Sequence, residues 1–209
     1  METNSSSLSR ESSELIIVRG FLGQGEADAL NAFVDQGVPL GHLDKGIDKG
    51  RRGYAARVTT RLYGDRFVYP DVVQSVFSRI TDRLRLHDLK KSAAGGGRDG
   101  VVVSCTLPGG NVYAHQDPKE DDGKLEVLRC NILTRAAESG GLLQVVGFPI
   151  NLEVGDLHCY LASNVFHSVS TVEGGASRVL WMFGYQISKA DWTLRVQELS
   201  EEAAGTMKG

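Results

Sequence analysis

Short β-rich runs fill the sequence from Val101 to Ile187, and turns that contain glycine separate them. The runs are VVVSCTL, NVYAH, EVLRCNIL, GLLQVVG, INLEV, DLHCYLA, HSVSTV and RVLWMFGYQI. The turns include Pro-Gly-Gly, Ser-Gly-Gly and Glu-Gly-Gly, which are typical of chain reversals. Eight or so strands at this spacing predict a β-sandwich or barrel.

The sequence before this region has a mixed α/β pattern. ELIIVRGFL predicts a strand, and GEADALNAFVDQG predicts a helix that Gly37 can end. RVTTRLYG, which starts at Arg57, predicts a further strand, and apolar residues at helical spacing after Pro70 predict a second helix. Two stretches rich in glycine and charge, residues 40–53 and KKSAAGGGRDG, predict surface loops.

We predict a single folded domain at residues 14–209 behind a disordered polar tail at residues 1–13. Within this domain, residues 14–99 form an α/β front, residues 100–187 form the β core, and residues 188–209 form a C-terminal helix with a frayed end. A chain of 209 residues is long enough for one domain with a sizeable core. The predicted fold class is therefore mainly β with flanking helices.

Charge and cysteine content weigh against several classes of partner. The formal net charge is −3 and the pI is about 6.0, so no overall positive field exists to hold nucleic acid or an anionic membrane. The polar N-terminal stretch lacks the apolar segment of a secretory signal, which predicts a cytoplasmic protein. Cys105, Cys130 and Cys159 show no CxxC pairing, which argues against a disulfide framework and a zinc knuckle. These features favour a small-molecule partner.

The segment NVYAHQDP places His115 and Asp117 two positions apart. Side chains along a strand alternate between its faces, so both residues are expected on one side. An imidazole and a carboxylate on one face suit a divalent metal, and a second histidine would complete the two-histidine, one-carboxylate set of non-heme iron(II) sites. His167, in SNVFHSVS, is the best candidate for the third ligand.

The His-x-Asp pattern alone is weak evidence for a metal site. With five histidines and 26 acidic residues, roughly one chance match is expected in every two such chains. The order of the motifs adds information, because the pair ends a β-run, His167 lies on a later β-run, and Arg178 follows at the start of RVLWMFGYQI. A guanidinium at that position can bind a carboxylate through two hydrogen bonds.

This ordered set resembles the 2-oxoglutarate/iron(II)-dependent oxygenase superfamily over about residues 101–187. The resemblance implies a double-stranded β-helix core of the jelly-roll, cupin-like type. It implies Fe(II) held by His115, Asp117 and His167. It also implies 2-oxoglutarate bound through Arg178, with O2 as the other cosubstrate, and oxidation of the substrate coupled to decarboxylation of 2-oxoglutarate to succinate.

Within the superfamily, the carboxylate of Asp117 favours hydroxylation over halogenation, because halogenating members resemble the others except that Gly or Ala replaces it. The motif spacing and small size are similar to compact bacterial members that act on free amino acids or natural-product intermediates. The resemblance thus predicts a dioxygenase that hydroxylates a small molecule. Desaturation, cyclisation or epimerisation by the same chemistry stays open, and so does a cupin-like metal-binding protein without oxygen activation. A monomer and a homodimer are both compatible with the sequence.

Polar residues on strands near the motif are candidates to face a ligand. Arg129 and Asn131 alternate on one face of EVLRCNIL, and buried polar side chains need partners or a cavity. We predict that they bind the cosubstrate, with a structural hydrogen-bond network as the alternative. Tyr113 shares the face of His115 and is a candidate for the substrate side, with packing behind the ligand as the alternative. His158 is interpreted as a core histidine or a support for the ligands.

Four arginines form a basic cluster in the front region: Arg51, Arg52, Arg57 and Arg61. The cluster could hold a carboxylate or phosphate of the substrate, with Arg57 and Arg61 as the candidates, although a solvated charged face is the more common outcome. Trp181 and Phe183 alternate on RVLWMFGYQI and could pack near the pocket or in the ordinary core.

Overall fold

The structure is a computed structural model that describes residues 8–12, 15–36, 43–45, 57–61, 71–92 and 100–206. The helices of this part are α1 (Gln24–Asp35), α2 (Asp71–Arg83) and α3 (Lys189–Thr206). The strands of the front region are β1 (Leu8–Ser12), β2 (Leu15–Val18), β3 (Leu43–Lys45) and β4 (Arg57–Arg61). The later strands are β5 (Val101–Thr106), β6 (Val112–His115), β7 (Glu126–Arg135), β8 (Ser139–Gly140), β9 (Leu143–Val145), β10 (Phe148–Ile150), β11 (Leu157–Leu161), β12 (His167–Val169), β13 (Val172–Glu173) and β14 (Arg178–Ile187).

Two antiparallel sheets form the body of the fold. The large sheet has the strand order β1-β2-β11-β7-β14-β5-β4-β3, and the small sheet has the order β10-β9-β12-β6. Leu15 and Ile17 of β2 pack in one buried cluster with Leu143 and Val145 of β9, so the two sheets face each other across a core. The prediction of a mainly β sandwich or barrel is confirmed.

The helices cover the other face of the large sheet. Leu30 of α1, Ile80 of α2 and Trp192 of α3 are buried in one cluster with Trp181 and Phe183 of β14. Alternate residues of a strand point to opposite faces, so the intervening residues of β14 face the space between the sheets. Of the two placements predicted for Trp181 and Phe183, packing in the ordinary core is correct.

The strands of the front region join the same large sheet as the strands of the second half. β2 pairs with β11, and β4 pairs with β5, so the low-complexity stretch before Val101 does not separate two sheets. The predicted helices before and after that stretch are present as α1, α2 and α3, whereas Gly37 and Pro70 lie outside the described residues. No helix among the described residues is both long enough and apolar enough to span a membrane.

Strand β1 lies within the stretch that the sequence predicted to be a disordered tail. Leu8–Ser12 pairs antiparallel with β2 at the edge of the large sheet. The polar composition misled the prediction because an edge strand is held by backbone hydrogen bonds, which the unpaired N–H and C=O groups of β2 supply without regard to side chains.

The predicted strand INLEV is wrong in most of its length. The strand here is β10, which ends at Ile150, and the chain turns at Val154 and Gly155. The buried carboxylate of Asp156 holds this turn: its Oδ2 accepts a hydrogen bond of 2.9 Å from the backbone N of Glu153, and its Oδ1 accepts one of 2.9 Å from the backbone N of Gly20. Asp156 also pairs with Arg19 at 2.7 Å. A side-chain acceptor for backbone N–H groups competes with a strand ladder.

Candidate metal centre

The candidate ligands come from two neighbouring strands of the small sheet. His115 ends β6, His167 begins β12, and the two residues are direct register partners with ring centroids 4.3 Å apart. Asp117 follows two residues later, where its backbone N donates a hydrogen bond of 2.9 Å to the carbonyl of Ala162. One ligand atom from each of the three side chains lies within 4.8 Å of the others.

Hydrogen bonds to backbone carbonyls set the tautomer of both histidines. Nδ1 of His115 lies 2.7 Å from the carbonyl oxygen of Tyr113, and Nδ1 of His167 lies 3.2 Å from that of Val165. A carbonyl oxygen only accepts, so each Nδ1 carries the proton and each Nε2 keeps its lone pair. Each imidazole can therefore coordinate a metal ion through the lone pair of Nε2.

The carboxylate of Asp117 uses its two oxygens differently. Oδ1 lies 3.6 Å from Nε2 of His115, whereas Oδ2 accepts a hydrogen bond of 2.9 Å from Nε of Arg129. Burial opposes ionisation of Asp117, but the positive charge of Arg129 and its hydrogen bond to the carboxylate outweigh it and hold the pKa well below its usual range. Asp117 is thus a fixed anion.

The charge state of this cluster fits a divalent cation. Burial, and then the nearby His115, lowers the pKa of His167 to about 4, so its ring is neutral at physiological pH. A neutral imidazole and an ionised carboxylate are the protonation states that metal binding requires. Two nitrogen donors and one carboxylate also match the donor set of non-heme iron(II) sites. A set of three protein ligands leaves coordination positions on the metal for other ligands.

Polar side chains form two cross-strand rows in the interior between the sheets. In the row nearest the metal centre, Arg129 of β7 is the register partner of Tyr160 on β11 and of Gly184 on β14. In the next row, Asn131 of β7 is the partner of His158 on β11. These residues alternate with those that pack against the helices, so they face the interior, as the sequence predicted for Arg129 and Asn131.

Contacts connect these rows to the candidate ligands. The ring of Tyr160 lies 5.2 Å from that of His167, and its hydroxyl lies 3.5 Å from Nδ2 of Asn131. Burial, and then the charge of Asp117, raises the pKa of Tyr160 above its usual range, so the phenol keeps its proton. The row beside the metal centre therefore carries the Arg129 cation and a neutral hydroxyl.

Arg178 carries a buried positive charge in the same interior. It begins β14, is only 3% exposed, and lines a cavity of about 240 Å³. Apolar residues form much of the cavity wall: Leu133, Leu143, Ile150 and Leu152. A Cβ at Gly141 would lie 3.2 Å from Cδ of Arg178, so the absence of a side chain there leaves room for the arginine stem. Neither His158 nor any of the candidate metal ligands lines this cavity.

The structure describes only some of the residues that the sequence suggested for substrate binding. Tyr113 is 38% exposed on the strand that carries His115, and its carbonyl orients that ring. Arg57 and Arg61 lie on β4, where Arg57 is the register partner of Thr106, which is also the partner of Arg178. The other two arginines of the predicted basic cluster, Arg51 and Arg52, lie outside the described residues.

The sequence analysis missed the network that holds the segment after Asp117. Glu126, at the start of β7, is 5% exposed; it pairs with Lys119 at 2.6 Å and accepts a hydrogen bond of 2.6 Å from Ser163. The hydroxyl of Ser163 in turn accepts one of 2.7 Å from the backbone N of Val127. The loop after the candidate ligand is thus tied to the strand that bears Arg129. No local pattern links Lys119 to Glu126 and Ser163, because each lies in a different segment.

Solved structures share this architecture. A viral collagen prolyl hydroxylase, vCPH from Paramecium Bursaria Chlorella virus-1 in its 2OG complex, superposes with a TM-score of 0.61 at 16% identity, covering 84% of this chain and 97% of that one. A Pseudomonas putida prolyl-4-hydroxylase gives 0.60 at 18% identity, covering 88% and 94%. HygX from Streptomyces hygroscopicus, with nickel and 2-oxoglutarate bound, gives 0.53 at 14% identity, covering 82% of each chain.

These likenesses establish the fold. The chain has the double-stranded β-helix fold of 2-oxoglutarate oxygenases, as its motifs predicted. No protein-family model and no curated protein matches the sequence. At these identities the likeness reaches the fold alone, so the chemistry has to be argued from the residues of the site.

Proposed function

We propose that this protein is an iron(II)- and 2-oxoglutarate-dependent dioxygenase that hydroxylates a small molecule. One observation carries the proposal: the ligand atoms of His115, Asp117 and His167 converge within 4.8 Å on register-paired strands, with both histidines oriented to donate through Nε2. That donor set suits Fe(II), and the likeness to 2-oxoglutarate oxygenases supports it.

Each residue of the proposed site would have a distinct role. His115, Asp117 and His167 would hold the iron, which supplies activation of O2 when it is bound. Arg178 would bind the distal carboxylate of 2-oxoglutarate through charge-assisted hydrogen bonds inside the fold, where few water molecules compete. Tyr160 would keep its proton and offer a neutral donor beside His167.

A small organic substrate fits the open side of the site. The side chains of His115 and Asp117 are 27% and 17% exposed, so a molecule could approach this centre from solvent. HygX, one of the structures with this fold, is recorded with hygromycin B bound in addition to nickel and 2-oxoglutarate. We propose a free amino acid or a natural-product intermediate as the substrate, with Tyr113, Arg57 and Arg61 as candidate contacts and O2 as cosubstrate.

The test has two stages. Fe(II) and 2-oxoglutarate are first added to the protein without oxygen, and the visible charge-transfer band of the chelated keto acid is recorded. Oxygen is then admitted with panels of amino acids and small natural products, and succinate and hydroxylated product are measured. Substrate-dependent succinate supports the proposal. Metal binding with neither the band nor succinate would favour a cupin-like metal-binding protein without oxygen activation.

The mass of the product also identifies which type of oxidation takes place. A mass gain of one oxygen atom identifies hydroxylation, whereas loss of two hydrogens identifies desaturation or cyclisation, and an unchanged mass with altered stereochemistry identifies epimerisation. Asp117 supports hydroxylation over halogenation, because its carboxylate would take the coordination position that a halide would need.

A further inference from the structure

His158 is a polar side chain of the interior that the proposed metal centre does not use. It is fully buried, and neither of its ring nitrogens has a hydrogen-bond partner among the described residues. Oδ1 of its register partner Asn131, which is 1% exposed, has none there either. Buried polar atoms are nearly always hydrogen-bonded, so the bare ring nitrogens of His158 indicate a missing partner.

The position of His158 suggests what that partner is. Its row lies one step, about 7 Å along the strands, from the row of Arg129, which contacts Asp117. On the other side Arg178 begins β14, and its charge contributes to the low pKa of His158. Along β14 the register partner of Asn131 is Met182, which lies between Gly184 in the Arg129 row and Arg178, so a molecule that reaches from the metal centre to Arg178 crosses the level of the His158 row.

The protonation state of the His158 ring limits further which ligand group it can bind. Burial, and then the charge of Arg178, lowers the pKa of His158 to about 3, so the imidazole is neutral and offers one N–H donor and one acceptor. Nδ2 of Asn131, which lies 3.5 Å from the Tyr160 hydroxyl, has a second N–H to donate at the same level, whereas its Oδ1 only accepts. Donors grouped near a buried arginine suit a carboxylate.

We propose that His158, supported by Asn131, is a cosubstrate-binding residue that donates a hydrogen bond to the distal carboxylate of the keto acid bound by Arg178. This inference rests on the proposed function, since it needs 2-oxoglutarate in the interior. It assigns His158 a direct contact with that ligand instead of a place in the apolar core.

Binding measurements with two ligands test the contact without turnover. The protein is loaded with Mn(II), and calorimetry gives the affinity for 2-oxoglutarate and for 2-oxovalerate, which has the same keto-acid head and five carbons but ends in a methyl group. His158→Phe keeps a ring of similar shape and removes both nitrogens. Loss of a buried hydrogen bond to a charged group predicts about tenfold to a hundredfold weaker binding of 2-oxoglutarate. Binding of 2-oxovalerate should be unchanged.

Two further variants guard against an indirect effect. His158→Gln keeps an N–H donor and should recover part of the affinity for 2-oxoglutarate, and it serves as the test if the phenylalanine variant does not fold. Cys159→Ala is the matched control, because Cys159 is the neighbouring buried residue of β11 that faces the helices. It should bind both ligands as the wild type does.

The outcomes separate this inference from the proposed function. If wild type binds 2-oxoglutarate and the His158 variants bind it equally well, or lose both ligands in equal measure, His158 is a structural residue and the inference is wrong. If wild type binds Mn(II) but no 2-oxoglutarate, the proposed function fails and the inference falls with it. Selective loss of the dicarboxylate in the phenylalanine variant supports both.

Discussion

Nε of Arg129 donates a hydrogen bond of 2.9 Å to Oδ2 of Asp117, and this contact joins the large sheet to the candidate metal ligand. The register partner of Arg129 on β14 is Gly184, where a Cβ would lie 3.2 Å from Nη1 of the arginine and 3.0 Å from Cβ of Ser92. Glycine at that position leaves space for the guanidinium. The arginine therefore fixes one carboxylate oxygen and leaves the other to face the histidines.

Replacing Arg129 by Met should weaken metal binding more than it weakens the fold. A residue that orients a metal ligand typically contributes about tenfold to a hundredfold in affinity, so a loss of that size is expected in a Mn(II) titration. Arg129→Lys should restore part of it, because a charge remains but the fork geometry is lost. The control is Arg135→Met, which removes an arginine of the same strand that pairs with Asp35 at the surface. Equal metal affinity in the Arg129 and Arg135 variants would contradict the positioning role.

Replacing either candidate histidine by alanine should abolish Fe(II) binding and succinate formation. Each change leaves two protein donors where the proposed site needs three. The fold should persist, because His115 and His167 contribute little to the apolar core. Thermal unfolding checks that point, and His87→Ala is the matched control, since His87 is an exposed histidine beside Asp82. Full iron occupancy in His115→Ala or His167→Ala would show that the ligand assignment is wrong.

The sequence predicted which face of the strand carries Arg129 and Asn131, but not the partners of these side chains. Strand alternation placed Arg129 and Asn131 on the inner face, because that property depends only on local geometry. It did not reveal that Arg129 contacts Asp117, since the contact depends on where a loop returns to the sheet. The same limit applies to Glu126 and Ser163, whose hydrogen bond joins segments far apart in sequence.

The errors in the predicted secondary structure have a related cause. INLEV was predicted as a strand because it is a short β-rich run, but the buried carboxylate of Asp156 binds backbone N–H groups and holds a turn there instead. The polar sequence of Leu8–Ser12 predicted disorder, but a sheet edge supplies backbone partners to any sequence. In both cases a distant partner decided the conformation of a local segment.

Replacing Arg178 by Ala should raise the Michaelis constant for 2-oxoglutarate far more than that for the organic substrate. The guanidinium is buried at the start of β14, and loss of a charge-assisted contact there predicts about a tenfold to hundredfold increase. Arg178→Lys should rescue the constant only in part, because a single ammonium cannot make the two parallel hydrogen bonds of a guanidinium. Equal increases in both Michaelis constants would remove Arg178 from the cosubstrate site.

Replacing Asp117 by Gly tests whether the carboxylate selects hydroxylation. In the wild type, Asp117 is ionised and held by Arg129, so it should occupy its coordination position and exclude chloride. Mass spectrometry of the product made in high-chloride buffer should therefore find added oxygen and no chlorine. Asp117→Gly should lose most hydroxylation, because the site loses one of three donors and Arg129 loses its carboxylate partner. A trace of chlorinated product from the variant is compatible with this role, whereas a chlorinated main product from the wild type would refute the hydroxylase proposal.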